Sequence, residues 1–484
     1  MDEKVVFDNS QQPGTSQSPA SQDQPAVAPK VTPPDPLQPA PPPPPPGGGI
    51  PKKFIIIGVV VLILLLLSAI FFFAPKGGEV KNVKLVWWGL WEDSRVIQPL
   101  ITDYRKTHPN IQIEYIKQTP QEYRERLTSR IKNGSENAPD IFRYHNTWRP
   151  MLSDLLLPLS SDVITPEEFK KNYYPVMQKD LVNNGAIYGI PLEADSLALF
   201  VNTRLFKDAG LLPPKNWEHD FIITAQKLTK RDENGKIIVA GAALGEYGNV
   251  KHASDIISLL FAQQSVDMEK FNNPEKEQGA ITYYMNFASS DKTKGVWDKT
   301  LDQSQLAFAQ GKLAMYFGYS WDVFDIKELN PDLPFEVHPV PSIYKRNMTI
   351  ASYWVEGVSA KSPNQKEALE FMHYLAQKET AQKFHSETSK VRAFGELYPR
   401  VDMAELHKDN PLAYPFVSQL GSATSTIFSS DTWDGESGMN TRANAYLENV
   451  ITAVKDDPSA TETEIEKLQS GLSQIFVDYG IQQE

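Results

Sequence analysis

The stretch LVWWGLWED, Leu85 to Asp93, sets Trp87, Trp88 and Trp91 within five residues and follows them with Glu92 and Asp93. The chain has only nine tryptophans in 484 residues, so this is a concentration of large aromatic faces beside carboxylates. Such a group either fills a core or holds something. Alternation along a strand divides those roles, sending Trp87 inward and Trp88 to the opposite side. Other chemically active side chains are missing or scattered. There is no cysteine, which removes disulfides, thiolate zinc sites, iron–sulfur ligation, a Cys nucleophile and a lipidated-Cys anchor. No GxSxG, HExxH or Walker A pattern occurs, and the eight histidines are dispersed. RDENGK contains an Asn234-Gly235 turn but departs from a calcium loop, because Lys230 stands where the first carboxylate ligand belongs. The sequence therefore implies no metal and no cofactor.

The elements around these residues alternate in type. KLVWW reads as a strand, and Val96, Leu100, Ile101 and Tyr104 share a helical face. Ile111, Ile113 and Tyr115 alternate as a half-buried strand, Tyr123, Leu127 and Ile131 mark a helix stopped by Gly134, and PDIF is a short apolar strand. This β-α-β-α-β order predicts a mainly parallel sheet with helices on both faces. Further on, TPEE (Thr165–Glu168) is a capping box, AIYGIP and LALFVNT read as strands, and Asn216 caps WEHDFIITAQKLTK. The strands LAMYFGY, FEVHPV and ASYWVEGVSA precede a helical C-terminal third. In open α/β sheets ligands meet the loops at the carboxyl ends of strands. Aromatics stand in those places: Trp88 and Trp91, Tyr144 and Trp148, Tyr319 and Trp321, Tyr353 and Trp354. Their placement predicts a lined cleft.

The first part of the chain is different. Residues 1–50 are rich in Pro, Ser, Gln and Ala and end in APPPPPPGGG, too poor in large apolar groups to build a core. They are expected to be a disordered Pro-rich tail. Phe54 to Ala74 are twenty-one uncharged residues, and as a helix would measure roughly 31 Å, enough to span a bilayer. Residues 51–75 are accordingly expected to be a single-pass membrane anchor, with 76–82 as linker. Lysines flank both ends, so charge alone does not orient it. A net charge of -12 argues against a nucleic-acid partner.

Four stretches carry a resemblance to a known family: KLVWWGLWE followed by HPNIQIEY; APDIFRYHNTW; IYGIPLEADSLALFVNTRLFKDAGLLPPKNW; and FAQGKLAMYFGYSW followed by PNQKEALEFMHYL. In these the chain resembles the family 1 extracellular solute-binding proteins of ABC importers, which include maltose- and other sugar-binding proteins. The likeness spans about residues 83–480. It implies an α/β, two-lobe periplasmic-binding-protein-like fold of type II, with discontinuous lobes and a hinge. Lobe 1 is expected from 83–194 plus 341–396, and lobe 2 from 195–340 plus 397–484. The crossings are expected near Glu193–Ser196, Phe335–Pro341 and Phe394–Arg400.

The resemblance also implies a ligand site. Trp88, Trp91 and Glu92 are carried over to the end of the first strand, and Tyr144, Asn146 and Trp148 to the same rim. Glu193 takes the hinge position after YGIP. Glu246, Tyr247, Tyr319, Trp321, Trp354 and Trp433 complete the set, whereas Trp87 is expected in the core, Trp217 in a packing or capping role, and Trp297 is left open with the core favoured. A pyranose offers flat C–H faces for aromatic stacking and hydroxyls for carboxylates and amides. The implied function is the substrate-binding component of an ABC importer, capturing a mono- or oligosaccharide and delivering it to permease subunits by hinge closure. The lobes would face outside and the tail the cytoplasm. Open alternatives are a polyamine, a polyol phosphate or another solute, or a solute-sensing receptor. An enzyme using Glu92 and Glu193 across a sugar bond is the reading from another class.

Overall fold

The computed structural model describes residue 42 and residues 60–65, 81–134 and 137–481. Of the expected membrane anchor only residues 60–65 are described, and they are helical and exposed. The rest of that expectation, and the tail, lie outside the described residues. Among the described residues no helix is long and apolar enough to cross a membrane. Residues 79–484 form one compact unit.

Ten strands build two sheets in that unit: β1 (Val83–Gly89), β2 (Ile111–Lys117), β3 (Ile141–His145), β4 (Ile190–Pro191), β5 (Ala198–Asn202), β6 (Lys230–Arg231), β7 (Ile237–Ala242), β8 (Leu313–Gly318), β9 (Phe335–His338) and β10 (Trp354–Val358). The first sheet runs β2-β1-β3-β10-β4 and the second β9-β5-β8-β7-β6. β1 lies parallel to both β2 and β3, whereas β10 enters antiparallel to β3 and β4. In the second sheet β8 is parallel to β7 and antiparallel to β5.

Local signals act where the sequence places them. Thr165 and Glu168 close a reciprocal capping box, and Gly134 and Gly210 end their helices at φ 59° and 65°. The Asn216 side chain accepts the amides of His219 and Asp220, opening a π-helical turn before helix Ile222–Leu228. The Asp232 carboxylate accepts the amides of Asn234 and Lys236 around the turn at Gly235.

Helices on both faces bury β1 almost entirely, and this settles the tryptophan pair. Trp87 is fully buried between Tyr115 and Phe371, its indole N–H donating to Glu356 Oε2 at 2.7 Å. Trp88 is also buried, at 5% exposure, beside Tyr123. A strand covered on both faces sends successive side chains into two cores rather than one core and one cleft.

The chain passes from the first sheet to the second between β4 and β5, and back between β9 and β10. Asp195 joins these crossovers. Its carboxylate accepts the amides of Ser196 (2.7 Å) and Ser320 (2.8 Å), and its carbonyl accepts the amide of Ser352 at 3.2 Å. Burial pushes the Asp195 carboxyl well above the usual range. Nearby, the Ala194 amide donates to Leu397 and Tyr173 bridges to Arg400. Trp217 and Trp297 are buried, Trp217 stacked on Phe317 and Trp297 bonded to Asn249.

Candidate functional site

Between the loops of the two sheets lies a cavity of about 420 Å³, within the size range of small-molecule sites. The first sheet supplies Trp91, just past β1, and Trp354, the first residue of β10. Their rings meet edge to face at 5.3 Å and 71°. Trp354 is braced from behind by His145 and Trp148, both edge-on within 5.5 Å.

The second sheet supplies the facing wall. Helix Ser320–Leu329 starts directly after β8, and its first turns bring Ser320, Trp321, Phe324 and Asp325 to the cavity. Trp321 stacks on Tyr319 at 4.5 Å and 17°. Tyr319 is fully buried, and its hydroxyl donates to Asp255 at 3.0 Å, which fixes the ring beneath Trp321. At the mouth stand Asp431 and Trp433, the latter 42% exposed.

Charge is laid out in pairs. Lys251 bonds Asp322 at 2.8 Å and approaches Asp325 at 3.6 Å. His252 shares Asp322, which accepts at 2.8 Å. Against the burial that opposes it, the His252 ring and the Lys251 ammonium hold the Asp322 carboxyl far below the usual range. Arg392 is paired with Glu396 and lies over the Phe324 ring at 5.3 Å. Glu193 lies at the crossover and accepts the Trp354 amide at 3.2 Å through Oε1. Burial pushes its carboxyl up to about 7; Arg143 opposes this and the Glu92 charge adds to it. The cavity can therefore stack flat apolar faces on four indoles and accept hydroxyl hydrogens at Glu193 and Asp431.

Of the thirteen residues expected from sequence, Trp91, Glu193, Trp321, Trp354 and Trp433 come together on this cavity. Tyr319 and Trp148 stand behind it as ring supports. Trp88 does not line it, being covered by Tyr123. Glu92 also lies beneath the lining, paired with Arg143, whose Nε donates to Glu356 at 2.7 Å. Burial would raise the Glu92 carboxyl, but the Arg143 guanidinium holds it below the ordinary value.

Four more expected residues lie away from the cavity or under it. Tyr144 is buried in the first lobe, donating to the Tyr188 carbonyl at 3.2 Å. Asn146 donates to Asp180 at 2.8 Å, beside a separate cavity of about 500 Å³. Glu246 is ion-paired with Lys455, and the Tyr247 hydroxyl reaches the Asn444 carbonyl at 3.2 Å. Both tie the loop after β7 to a C-terminal helix instead of facing the cavity.

The sequence reading missed Lys251, Ser320, Phe324, Asp325, Arg392, Glu396 and Asp431. Phe324 and Asp325 had a usable signal, lying one helical turn beyond Trp321. Arg392 and Glu396 fall in a segment without periodicity; Glu396 lies within the crossing expected near Phe394–Arg400, but nothing local singles out either side chain.

Residues 88–382 match the family described as bacterial extracellular solute-binding protein. An uncharacterized ABC transporter extracellular-binding protein of Pyrococcus horikoshii is 24% identical over 368 residues, covering 71% of this chain and 77% of the relative. Among solved structures, the sugar-binding protein of the phytopathogen Xanthomonas citri is similar with TM-score 0.65 at 19% identity, over 82% of this chain and 98% of that one. A cyclo/maltodextrin-binding protein complexed with maltotetraose is similar with TM-score 0.64 at 18% identity, over 83% and 99%. At these identities the solved structures establish the two-lobe fold alone. With the family match over more than half its length, the chain belongs to the bacterial extracellular solute-binding proteins.

Proposed function

We propose that this chain captures a mono- or oligosaccharide in the cavity between its two sheets and delivers it to the permease of an ABC importer. In this reading residues 54–74 hold it at the membrane with the lobes outside and the tail in the cytoplasm. The observation that carries the sugar reading is the cavity lining: Trp91, Trp321, Trp354 and Trp433 surround the space, with Glu193 and Asp431 facing it. Indole faces stack on pyranose C–H faces, each contact adding about 0.5–1.5 kcal/mol beyond area burial. Carboxylates accept hydroxyl hydrogens in charge-assisted bonds. Anchoring would raise the local concentration of the binding protein at its permease, so their mutual affinity could be weak.

The test is a thermal-shift screen of the full chain in detergent against a glycan panel, followed by calorimetry. A neutral mono- or oligosaccharide should give a saturable shift, and Trp321→Ala should weaken binding at least tenfold. Stabilisation only by polyamines or phosphorylated solutes would reject the sugar assignment. Release of product during long incubation with oligosaccharide would reject pure binding.

A further inference from the structure

One flank of the cleft is held by contacts that the solute reading does not use. Arg124 lies on helix Tyr123–Asn133, between β2 and β3 of the first sheet, and is buried at 8% exposure. Its Nε donates to the Asp434 carbonyl at 2.6 Å, and its Nη2 to Ser437 Oγ at 2.5 Å. Asp434 and Ser437 belong to the loop before helix Met439–Asp456. That helix packs on helices Thr461–Asp478 and Pro274–Met285, and is tied to the loop after β7 through Glu246 and Tyr247. It therefore belongs with the second sheet. Two further contacts cross the same gap: Thr147 Oγ1 to Asn440 Oδ1 at 2.8 Å, and the Met439 amide to Met151 Sδ at 3.3 Å.

The loop that Arg124 grips is the one that presents Trp433. Its backbone is left-handed at Asp431 (φ 52°), Trp433 (φ 55°) and Gly435 (φ 75°). Non-glycine residues persist in that region only where their surroundings impose it. Here the surroundings are visible. Asp434 is fully buried, its carboxylate accepting the amides of Asn440 (2.7 Å) and Thr441 (3.2 Å) and the Thr441 hydroxyl (2.6 Å). From the other side Arg124 holds its carbonyl. The alternating conformation leaves Asp431 and Trp433, on either side of buried Thr432, lining the cavity.

We infer that Arg124 is a positioning residue: by clamping the Asp434 carbonyl across the cleft, it seats Trp433 and Asp431 against the solute and makes completion of the cavity depend on closure. The inference takes from the preceding section only that the cavity holds solute, whatever its chemistry.

The absence of native cysteine allows a direct test on the full chain. Arg130→Cys and Asn449→Cys place spin labels on exposed positions of the helix carrying Arg124 and of the helix behind the Trp433 loop. Pulsed electron resonance then reads the interlobe distance with no solute added. We expect Arg124→Ala to lower the short-distance population roughly tenfold, as loss of charge-assisted hydrogen bonds implies. Arg124→Lys should recover part of it, because one donor still reaches the carbonyl. Ser437→Ala should give a smaller loss, and carries the test if Arg124→Ala does not fold. An unchanged distribution in Arg124→Ala, or in Ser437→Ala should that variant alone fold, overturns the inference. So does a lysine variant no better than alanine. Maltotetraose titrated into the same labelled chain reports on the sugar reading separately, since its failure to bind leaves the solute-free distances as they are.

Discussion

Glu193 combines a place on the crossover between the sheets, a cavity face and a carboxyl raised to about 7. Between its ordinary value of 4.5 and about 7 the folded chain keeps a proton that the unfolded chain has released. Folding stability from this group therefore falls as pH rises through that window. Glu193→Gln removes the titration while keeping the shape. Melting temperatures at pH 5 and pH 8 should show the native chain losing a few degrees more than the variant. Among single residues, Trp91 and Trp321 were the legible part of the site, because each follows a strand end and residue type and position are both local; Trp354 instead opens β10, so the strand-end reasoning placed it at the wrong end. Lys251 and Arg392 were not. They matter through partners such as Asp325 and Glu396 and through a neighbourhood that only the folded chain assembles.

At the scale of elements, the parallel β2-β1-β3 core of the first sheet was readable from alternating patterns. The antiparallel insertion of β10 was not, because the pairing of Val358 with Ile141 joins residues more than two hundred positions apart. That insertion explains Arg143. It sits on β3, fully buried, joining Glu92 past the end of β1 to Glu356 on β10. Arg143→Met would leave two buried carboxyls without their cation and should cost about 3–5 kcal/mol by denaturant unfolding. The turn at Gly435 makes a second element-level prediction. A Cβ there would lie 2.0 Å from a Glu125 carboxylate oxygen, and φ is 75°. Gly435→Ala should lower stability by about 1–2 kcal/mol and displace Trp433, so solute affinity should fall together with melting temperature. Calorimetry on the variant checks both.

For the molecule as a whole, two lobes joined by crossovers can rotate about a few linking residues. Asp195 is the point where the crossovers and the cavity helix meet, through the amides of Ser196, Ser320 and Ser352. Asp195→Ala strands the first two amides in a buried setting. Each should cost about 1–3 kcal/mol in urea unfolding, and Ser320 should lose its tie to the crossover. The two-lobe plan itself was legible in long motifs that span both sheets. Which aromatics face the gap was less so, since helices covering both faces of β1 buried Trp88 where alternation alone left it free.

The tryptophans also give the protein an optical readout of its own state. Five of the nine, Trp87, Trp88, Trp148, Trp217 and Trp297, are buried at 5% exposure or less, and the other four line the cavity. Of these Trp433 alone is widely exposed. Its emission should lie to the red of the buried set and move to the blue when solute covers the ring. A solute for this chain can thus be sought without dye or label, by watching the long-wavelength edge of its own fluorescence.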